Sequence, residues 1–503
     1  MHTFADPLRR AAQVAPTKVG IIDGEQQFTF GQLAERCARL AGGLRSLGCE
    51  TGDRVAILAN NCHEYIESYV GVPASGLVIV PLNTRHAEPE LRYALEDAKT
   101  KILIADRDVS GLADCVEQVL DLDAYAALVE KSQPIPLGVD IHENDLAGLF
   151  YTGGTTGKSK GVMLSHRNLI ANTFHWLMSV PHEPEDMELV MAPLFHAAGS
   201  NGVLGAIWKT TPQVVLGAFD PEAALDLIEQ HQVTHTLGVP TMLAAMAESQ
   251  HANPRNTSQL RVICHGGSPI ATEVARRVST AVPSAELVEV YGATELSPLT
   301  TVLRHEETLL DDRRARSCGT PLPGTEIIIR DADGNECPRG EVGEVTCRGP
   351  NVMLGYWNKP EQTAAVLKDG EYWTGDLGYM DAEGLVYLVD RSKDMIVSGG
   401  ENVYCTEVEE VLYTHPAVLE AAAFGVPDEK WGEAVYAVVV PRTEHSNVDP
   451  TDIIQHCKEH IAGYKVPKGV DIRQEPLPKS GPGKVLKREL RAPFWEGKER
   501  SVN

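Results

Sequence analysis

Tyr151-Thr152-Gly153-Gly154-Thr155-Thr156-Gly157-Lys158-Ser159-Lys160-Gly161 packs four glycines, three threonines and two lysines into eleven residues. It follows an apolar run, Leu146-Ala147-Gly148-Leu149-Phe150, that reads as a buried strand. Such a stretch is poor core material and good material for holding phosphate. Glycines let successive backbone N–H groups turn toward one anion, threonine hydroxyls add donors, and lysine adds charge without a fixed geometry. A surface loop with no ligand is the competing reading of this stretch taken alone. A Walker-type P-loop fails on spacing, because it needs Gly five residues before Gly157 and that position is Thr152. The continuation disagrees with it as well. Gly161-Val162-Met163-Leu164-Ser165-His166 reads as a short strand, with Ser165 the N-cap of a helix beginning near Asn168.

Working outward, 503 residues predict more than one domain, and 43% hydrophobic with 23% charged residues is ordinary for a globular protein with a large core. A net charge of −25 argues against a nucleic-acid surface and against an electrostatic grip on anionic membrane. The ten cysteines show no CxxC pairing and read as reduced thiols, most of them buried. Met1-His2-Thr3-Phe4-Ala5-Asp6 lacks the apolar core of a signal peptide. The longest apolar stretch, Tyr69 to Leu82, is interrupted by Pro73 and Pro81 and is too short to span a bilayer. The expectation is a cytoplasmic protein with no stable membrane insertion; a homodimer is left open.

Short β-rich runs alternate with amphipathic segments over most of the chain. Val55–Leu58 and Lys101–Ala105 read as strands flanking a helix over Glu88–Ala98. Helices near Pro221–Gln230, Thr241–Ser249 and Ala271–Ala281 alternate with strands at Val233–Leu237, Arg261–Cys264 and Glu286–Val290. That alternation predicts an α/β fold with largely parallel sheets. After about residue 320 the texture becomes antiparallel, with strands at Glu326–Arg330 and Glu344–Cys347 and a turn at Asp331-Ala332-Asp333-Gly334-Asn335. A compact α+β unit begins near Asp390. The expected architecture is therefore a large N-terminal domain of parallel and mixed sheets wrapped by helices, with a β-rich subdomain, over 1–390. A small α+β domain follows over 391–503.

Four further clusters share the flavour of the opening stretch: His265-Gly266-Gly267-Ser268-Pro269, Tyr291-Gly292-Ala293-Thr294-Glu295, Tyr372-Trp373-Thr374-Gly375-Asp376-Leu377-Gly378 and Asp390-Arg391-Ser392-Lys393-Asp394. Two follow predicted strands, where open α/β sheets bind ligands. With Phe28-Thr29-Phe30, Gly52-Asp53-Arg54-Val55, Pro193-Leu194-Phe195-His196, Gly349-Pro350, Gly355-Tyr356, Ser398-Gly399-Gly400-Glu401-Asn402, Pro478-Lys479-Ser480 and Gly483-Lys484, they run in an order and spacing of high specificity. The chain resembles, nearly end to end, the adenylate-forming superfamily of acyl-CoA synthetases, firefly luciferase and peptide-synthetase adenylation domains, most closely its acyl-CoA synthetase branch.

The resemblance implies two steps. A carboxylate attacks the α-phosphorus of ATP, releasing pyrophosphate, and the thiol of coenzyme A then displaces AMP. It places Thr152, Gly153, Gly154, Thr155, Thr156, Gly157 and Lys160 on the ATP phosphates. Thr294 would donate to the α-phosphate and Glu295 would hold Mg²⁺, a hard cation that prefers oxygen ligands. Tyr291 and Gly292 would lie at the adenine, helped by the backbone near Gly267 and Ser268. Asp376 would accept the ribose hydroxyls, with Arg391 reaching them from the hinge. Lys484, on a loop too rich in Gly and Pro for a helix, would neutralise charge at the α-phosphate. The resemblance also implies rotation of the C-terminal domain about Lys393, which withdraws Lys484 and brings Gly399 and Gly400 to line the pantetheine tunnel.

Gly153 stands where the family usually has Ser, and Ser159 where it has Pro, so one hydroxyl donor is missing and the loop is less stiffened. His196 resembles the gate beside the acid site, but a lone His after an apolar run serves equally as a structural residue. His456 and His460 stand at i,i+4 without the Glu of an HExxH motif and read as an exposed pair. Ala197-Ala198-Gly199-Ser200-Asn201-Gly202 is small and uncharged, and carries no Asp for a substrate ammonium group. The expected substrate is a fatty acid first and an aryl acid second. The rivals are an enzyme that loads a carrier-protein pantetheine and a nucleotide-binding protein that has lost catalysis.

Overall fold

The computed structural model describes residues 3–152, 159–268, 270–305, 313–391, 394–398, 401–428, 430–445, 447–479 and 485–496. A nine-stranded sheet and a seven-stranded sheet form the larger part of the molecule. In the first, Val262–Gly266 is the hub of a parallel row, flanked by His235–Gly238 and Glu286–Gly292, with Glu188–Val190, Gln213–Val215 and Val19–Asp23 continuing it. Antiparallel strands close both edges. The second sheet carries Arg54–Leu58, Val78–Pro81, Thr100–Ala105 and Gln118–Asp121 in parallel, and Leu146–Thr152 with Lys160–Ser165 as an antiparallel hairpin.

These strands are continuous runs of Val, Ile and Leu, as parallel strands buried on both faces require. The two sheets share one core. Ile21, Val190 and Val215 of the first and Val55, Ile79, Ile104 and Phe150 of the second pack into it with Leu33, Leu40, Tyr65, Tyr69 and Leu204 from the helices between them. Pro73, read from sequence as an interruption, sits in the last turn of the helix His63–Ala74, and the strand Val78–Pro81 follows after a short turn. There its missing N–H forfeits one backbone bond, and the helix ends at the next residue.

The helix after the hairpin begins at His166, two residues earlier than expected. The reason is a capping box: Ser165 Oγ accepts from Asn168 N at 3.1 Å, and Asn168 Oδ1 accepts from Ser165 N at 2.9 Å. Asn168 is thus the third helical residue. Beyond residue 320, Glu326–Arg330, Gly343–Arg348, Glu371–Met380 and Val386–Arg391 form an antiparallel sheet. From Ile396 to Phe494 a separate five-stranded sheet with the helices Cys405–Thr414 and Pro450–His460 builds two hydrophobic clusters of its own. Seven cysteines are buried and three half-buried, all as free thiols. Among the described residues, no helix is long and apolar enough to cross a membrane.

Candidate active site

The glycine- and threonine-rich stretch is the connection of a β-hairpin. Tyr151 pairs with Gly161 and Thr152 with Lys160, so the chain returns into an antiparallel strand and not into a helix. That geometry removes the P-loop reading on structural grounds as well. Gly153, Gly154, Thr155, Thr156 and Gly157 lie outside the described residues, whereas Thr152 and Lys160 form the two feet of the hairpin.

Lys160 Nζ lies 4.6 Å from the centre of the Tyr356 ring, a cation–π distance. The short strand Gly355–Tyr356 reaches this position by pairing with the hairpin, Tyr356 opposite Val162. The Tyr356 hydroxyl donates to Glu295 Oε1 at 2.8 Å. One tyrosine therefore ties a foot of the hairpin to the Thr294-Glu295 segment, two features far apart in sequence.

Thr294 and Glu295 open a single 3₁₀ turn just beyond the strand Glu286–Gly292. A Cβ at Gly292 would overlap the carbonyl of Pro298, so only glycine lets the two sides of this turn close. Next to it, in register, ends the strand Val262–Gly266, which delivers Gly267 and Ser268. Gly267 has φ +80°, a left-handed conformation open to glycine at no steric cost. The two parallel strands thus present Gly267, Ser268, Tyr291, Gly292, Thr294 and Glu295 at one carboxyl edge.

Three carboxamides hold that edge in place. Asn172, on the helix His166–Ser179, donates to Leu299 O at 2.6 Å and accepts from Leu299 N at 3.1 Å. Asn351 Nδ2 donates to Leu296 O at 2.9 Å, and Ser297 Oγ donates to Asn351 O at 2.7 Å. Asn168 Nδ2 donates to Pro350 O and Val352 O, each at 2.8 Å. Sequence reasoning assigned no role to these asparagines or to Tyr356. The motif Gly355-Tyr356 was the available signal for the tyrosine; a structural asparagine leaves none.

Asp376, on the strand Glu371–Met380, accepts from the Tyr291 hydroxyl at 2.8 Å in a buried setting. Burial, and then the neighbouring Asp376 carboxylate, push the Tyr291 phenol well above its ordinary pKa, so it remains a donor. Tyr291 thus orients the Asp376 carboxylate, which the resemblance expects to face a ribose. Arg391 is the backbone partner of Asp376 across the adjoining strand.

His196 stands apart from this group, as the N-cap of the helix Ala197–Lys209. Its Nε2 is buried with no hydrogen-bond partner among the described residues. Burial pushes its pKa down to about 3, with Arg85 and His86 adding to the effect, so the imidazole is neutral. The segment leading to it hangs on Asn61, whose carboxamide donates to Val190 O, Ala192 O and Leu216 O and accepts from Leu194 N.

Lys484, Lys393, Gly399 and Gly400 lie outside the described residues. Their flanks are described: Lys479 bridges Val485, and Ser398 pairs with Glu401. His456 Nε2 lies 2.8 Å from Thr414 Oγ1, and His460 Nδ1 lies 2.8 Å from the His456 carbonyl, so both rings have partners of an ordinary structural kind.

Residues 8–357 match the family described as AMP-binding enzyme, and residues 407–484 match the AMP-binding enzyme C-terminal domain. A feruloyl-CoA synthase from Amycolatopsis sp. is 39% identical over 495 residues, 97% of this chain and 98% of that one. A long-chain-fatty-acid–CoA ligase from Bacillus subtilis is 34% identical over 533 residues, 97% of this chain and 94% of that one. Among solved structures, ATP-bound MatB from Rhodopseudomonas palustris aligns with a TM-score of 0.89 at 31% identity, covering 98% of this chain and 100% of that one.

Proposed function

The chain belongs to the AMP-binding enzyme family, in its acyl-CoA synthetase branch, and from that premise we propose that its strand-edge cluster activates a carboxylic acid on ATP and passes the acyl group to coenzyme A. It is an AMP-forming acid–thiol ligase. The observation that carries the reading is convergence: Tyr356 ties Glu295 to the Lys160 foot of the hairpin, and Tyr291, on the strand that leads into Thr294-Glu295, holds Asp376.

Bringing a carboxylate to a polyphosphate joins two anions, so the protein's task is positioning and charge stabilisation. The hairpin would cradle the phosphates, with Lys160 as its cation. Thr294 would donate a hydrogen bond to the α-phosphate. Asp376, oriented by Tyr291, would accept the ribose hydroxyls, with Arg391 beside it in the sheet. Oxygen donors suit magnesium, and a carboxylate braced at one oxygen fits it: Mg²⁺ bound with ATP at Glu295 would neutralise phosphate charge. The neutral His196 would flank the incoming acid. The small, uncharged lining Ala197–Gly202 suits an aliphatic or aromatic acid better than an amino acid.

Division at about residue 390 would let the C-terminal part deliver Lys484 for the first step and the Gly399-Gly400 segment for the second. The test separates the two half-reactions. Lys484→Ala should lower acid-dependent ATP–pyrophosphate exchange by at least about 100-fold, the scale of a lost charge-stabilising donor. Thioester formation from supplied acyl-adenylate should persist at near wild-type rate. Equal loss of both steps would overturn this assignment.

A further inference from the structure

The strand Glu188–Val190 lies inside the nine-stranded sheet and carries a carboxyl where a central parallel strand normally carries Val or Ile. Glu188 is buried, and its Oε2 has no hydrogen-bond partner among the described residues. Directly opposite, in register on the adjoining parallel strand, stands Gln213. Its exposure is 0%, and neither its Oε1 nor its Nε2 has a partner among the described residues. The neighbour on the other side, His235, offers Glu188 nothing: its Nδ1 faces Thr234 Oγ1 at 2.8 Å and its Nε2 faces Pro181 O at 2.6 Å. Buried polar groups are paired in the great majority of cases, so two idle ones side by side need an explanation.

Their position supplies it. From Glu188–Val190 the chain runs forward to His196, and the helix Ala197–Lys209 returns alongside. Gly202 of that helix meets Glu188: a Cβ there would lie 2.8 Å from Glu188 Oε1. With no side chain at Gly202, the helix that begins after His196 comes directly against the carboxyl. Six residues at 1.5 Å each set Gly202 about 9 Å from His196 along the helix axis. An extended chain advances ~1.2 Å per bond, so about 9 Å corresponds to about seven bonds.

We propose that Glu188 and Gln213 form the distal end of the acid site and bind a hydroxyl roughly seven bonds from the substrate carboxyl carbon. A ring with a para hydroxyl and a two-carbon link to the carboxyl has that separation, whereas an unsubstituted fatty acid offers nothing to either residue. The substrate class is thus a hydroxylated arylpropenoic or arylpropanoic acid, which replaces the fatty acid expected from sequence. The hydroxyl would donate to the Glu188 carboxyl and accept from Gln213 Nε2. Burial, and then Asp186, raise Glu188 to about 7, so near neutrality it serves as acceptor in one form and donor in the other. The inference rests on the reading that His196 borders the acid site.

The experiment compares 4-hydroxycinnamic, cinnamic and octanoic acids as substrates for the full-length protein and for Glu188→Val/Gln213→Leu, following AMP and acyl-CoA together. A site built to hydrogen-bond a substrate hydroxyl rejects the analogue lacking it strongly. Wild type should favour 4-hydroxycinnamate over cinnamate by at least about 100-fold in kcat/KM, and the double variant should reduce that ratio below about 10. A wild-type ratio near one, or a preference for octanoate, would overturn the hydroxyl assignment while the ligase reading stands on the AMP and thioester produced. Formation of neither product from any acid would overturn both. The wild-type ratio decides even where the variant does not fold; an unchanged ratio in a folded variant would also overturn the assignment.

Discussion

Tyr356 shows how little covalent matter holds the phosphate end together. Its ring meets Lys160 and its hydroxyl meets Glu295, so one side chain spans the hairpin foot and the residue proposed to hold magnesium. Tyr356→Phe keeps the ring and deletes the bond. The remaining oxygen is half-exposed and can turn to water, so folding stability should change by less than about 1.5 kcal/mol, the net worth of one hydrogen bond. Adenylation should suffer more, because a carboxylate free to rotate holds a cation less well. A fall of roughly tenfold in kcat/KM for ATP, read by pyrophosphate exchange, is the expected outcome. A fall in thermal stability with no kinetic effect would reduce Tyr356 to a packing residue.

At the scale of the element, the helix His166–Ser179 acts as a bracket. Its first turn is fixed by the Ser165–Asn168 box, and Asn168 and Asn172 project from the same side, four residues apart. They fasten the 350–352 segment and the turn after Thr294 to a rigid body. The expected consequence of Asn172→Ala is an orphaned N–H at Leu299, in a site closed to water, while Leu299 O keeps Asn351 Nδ2 as a donor at 3.1 Å. Losing such a partner costs roughly 1–3 kcal/mol. Thermal melting should therefore fall by several degrees, and KM for ATP should rise as the Thr294-Glu295 turn loosens. An unaltered KM in a destabilised protein would separate the bracket from the nucleotide site.

Across the whole molecule, polar contacts between described residues join the C-terminal unit to the larger part. The Glu410 carboxylate accepts from Thr272 N, at the start of the helix Thr272–Ala281. Arg442 and Arg277 share Glu248, at 2.7 and 3.1 Å. Polar contacts of this kind suit a junction that opens, because each partner regains water on separation. The molecule as a whole also carries a pH signature. His166, His175 and His182 are pushed down to about 4 and His196 to about 3, mainly by burial. Below pH 6.5 the unfolded chain binds protons that these native imidazoles refuse, so stability falls as pH drops from about 6.5 toward 4. Glu188, raised to about 7, acts in the opposite direction, as do the raised Glu67, Glu344, Glu409 and His63, but the four strongly depressed imidazoles set the expected sign. The melting temperature at fixed ionic strength should decline from pH 6.5 to pH 4.5; a rise over that interval would contradict the neutral burial of these rings.

The sequence by itself determined the alternation of strands and helices, the change of texture near residue 320, the two strands that flank the Gly-Thr-Lys stretch and the helix cap at Ser165. All of these are local: they follow from apolar period, turn chemistry and capping within a dozen residues. The order of the motifs carried the family as well. Only the tertiary structure decided how the motifs meet. Tyr291 and Asp376 are 85 positions apart, Tyr356 and Glu295 are 61, and Asn168 and Val352 are 184. No local propensity encodes such pairs, because a hydrogen bond is satisfied by whatever the fold brings within about 3 Å. Glu188 and Gln213 make the same point from the other side. In sequence they are two polar residues in apolar runs; sheet register sets them side by side, and Gly202 lets the helix that follows His196 come against Glu188.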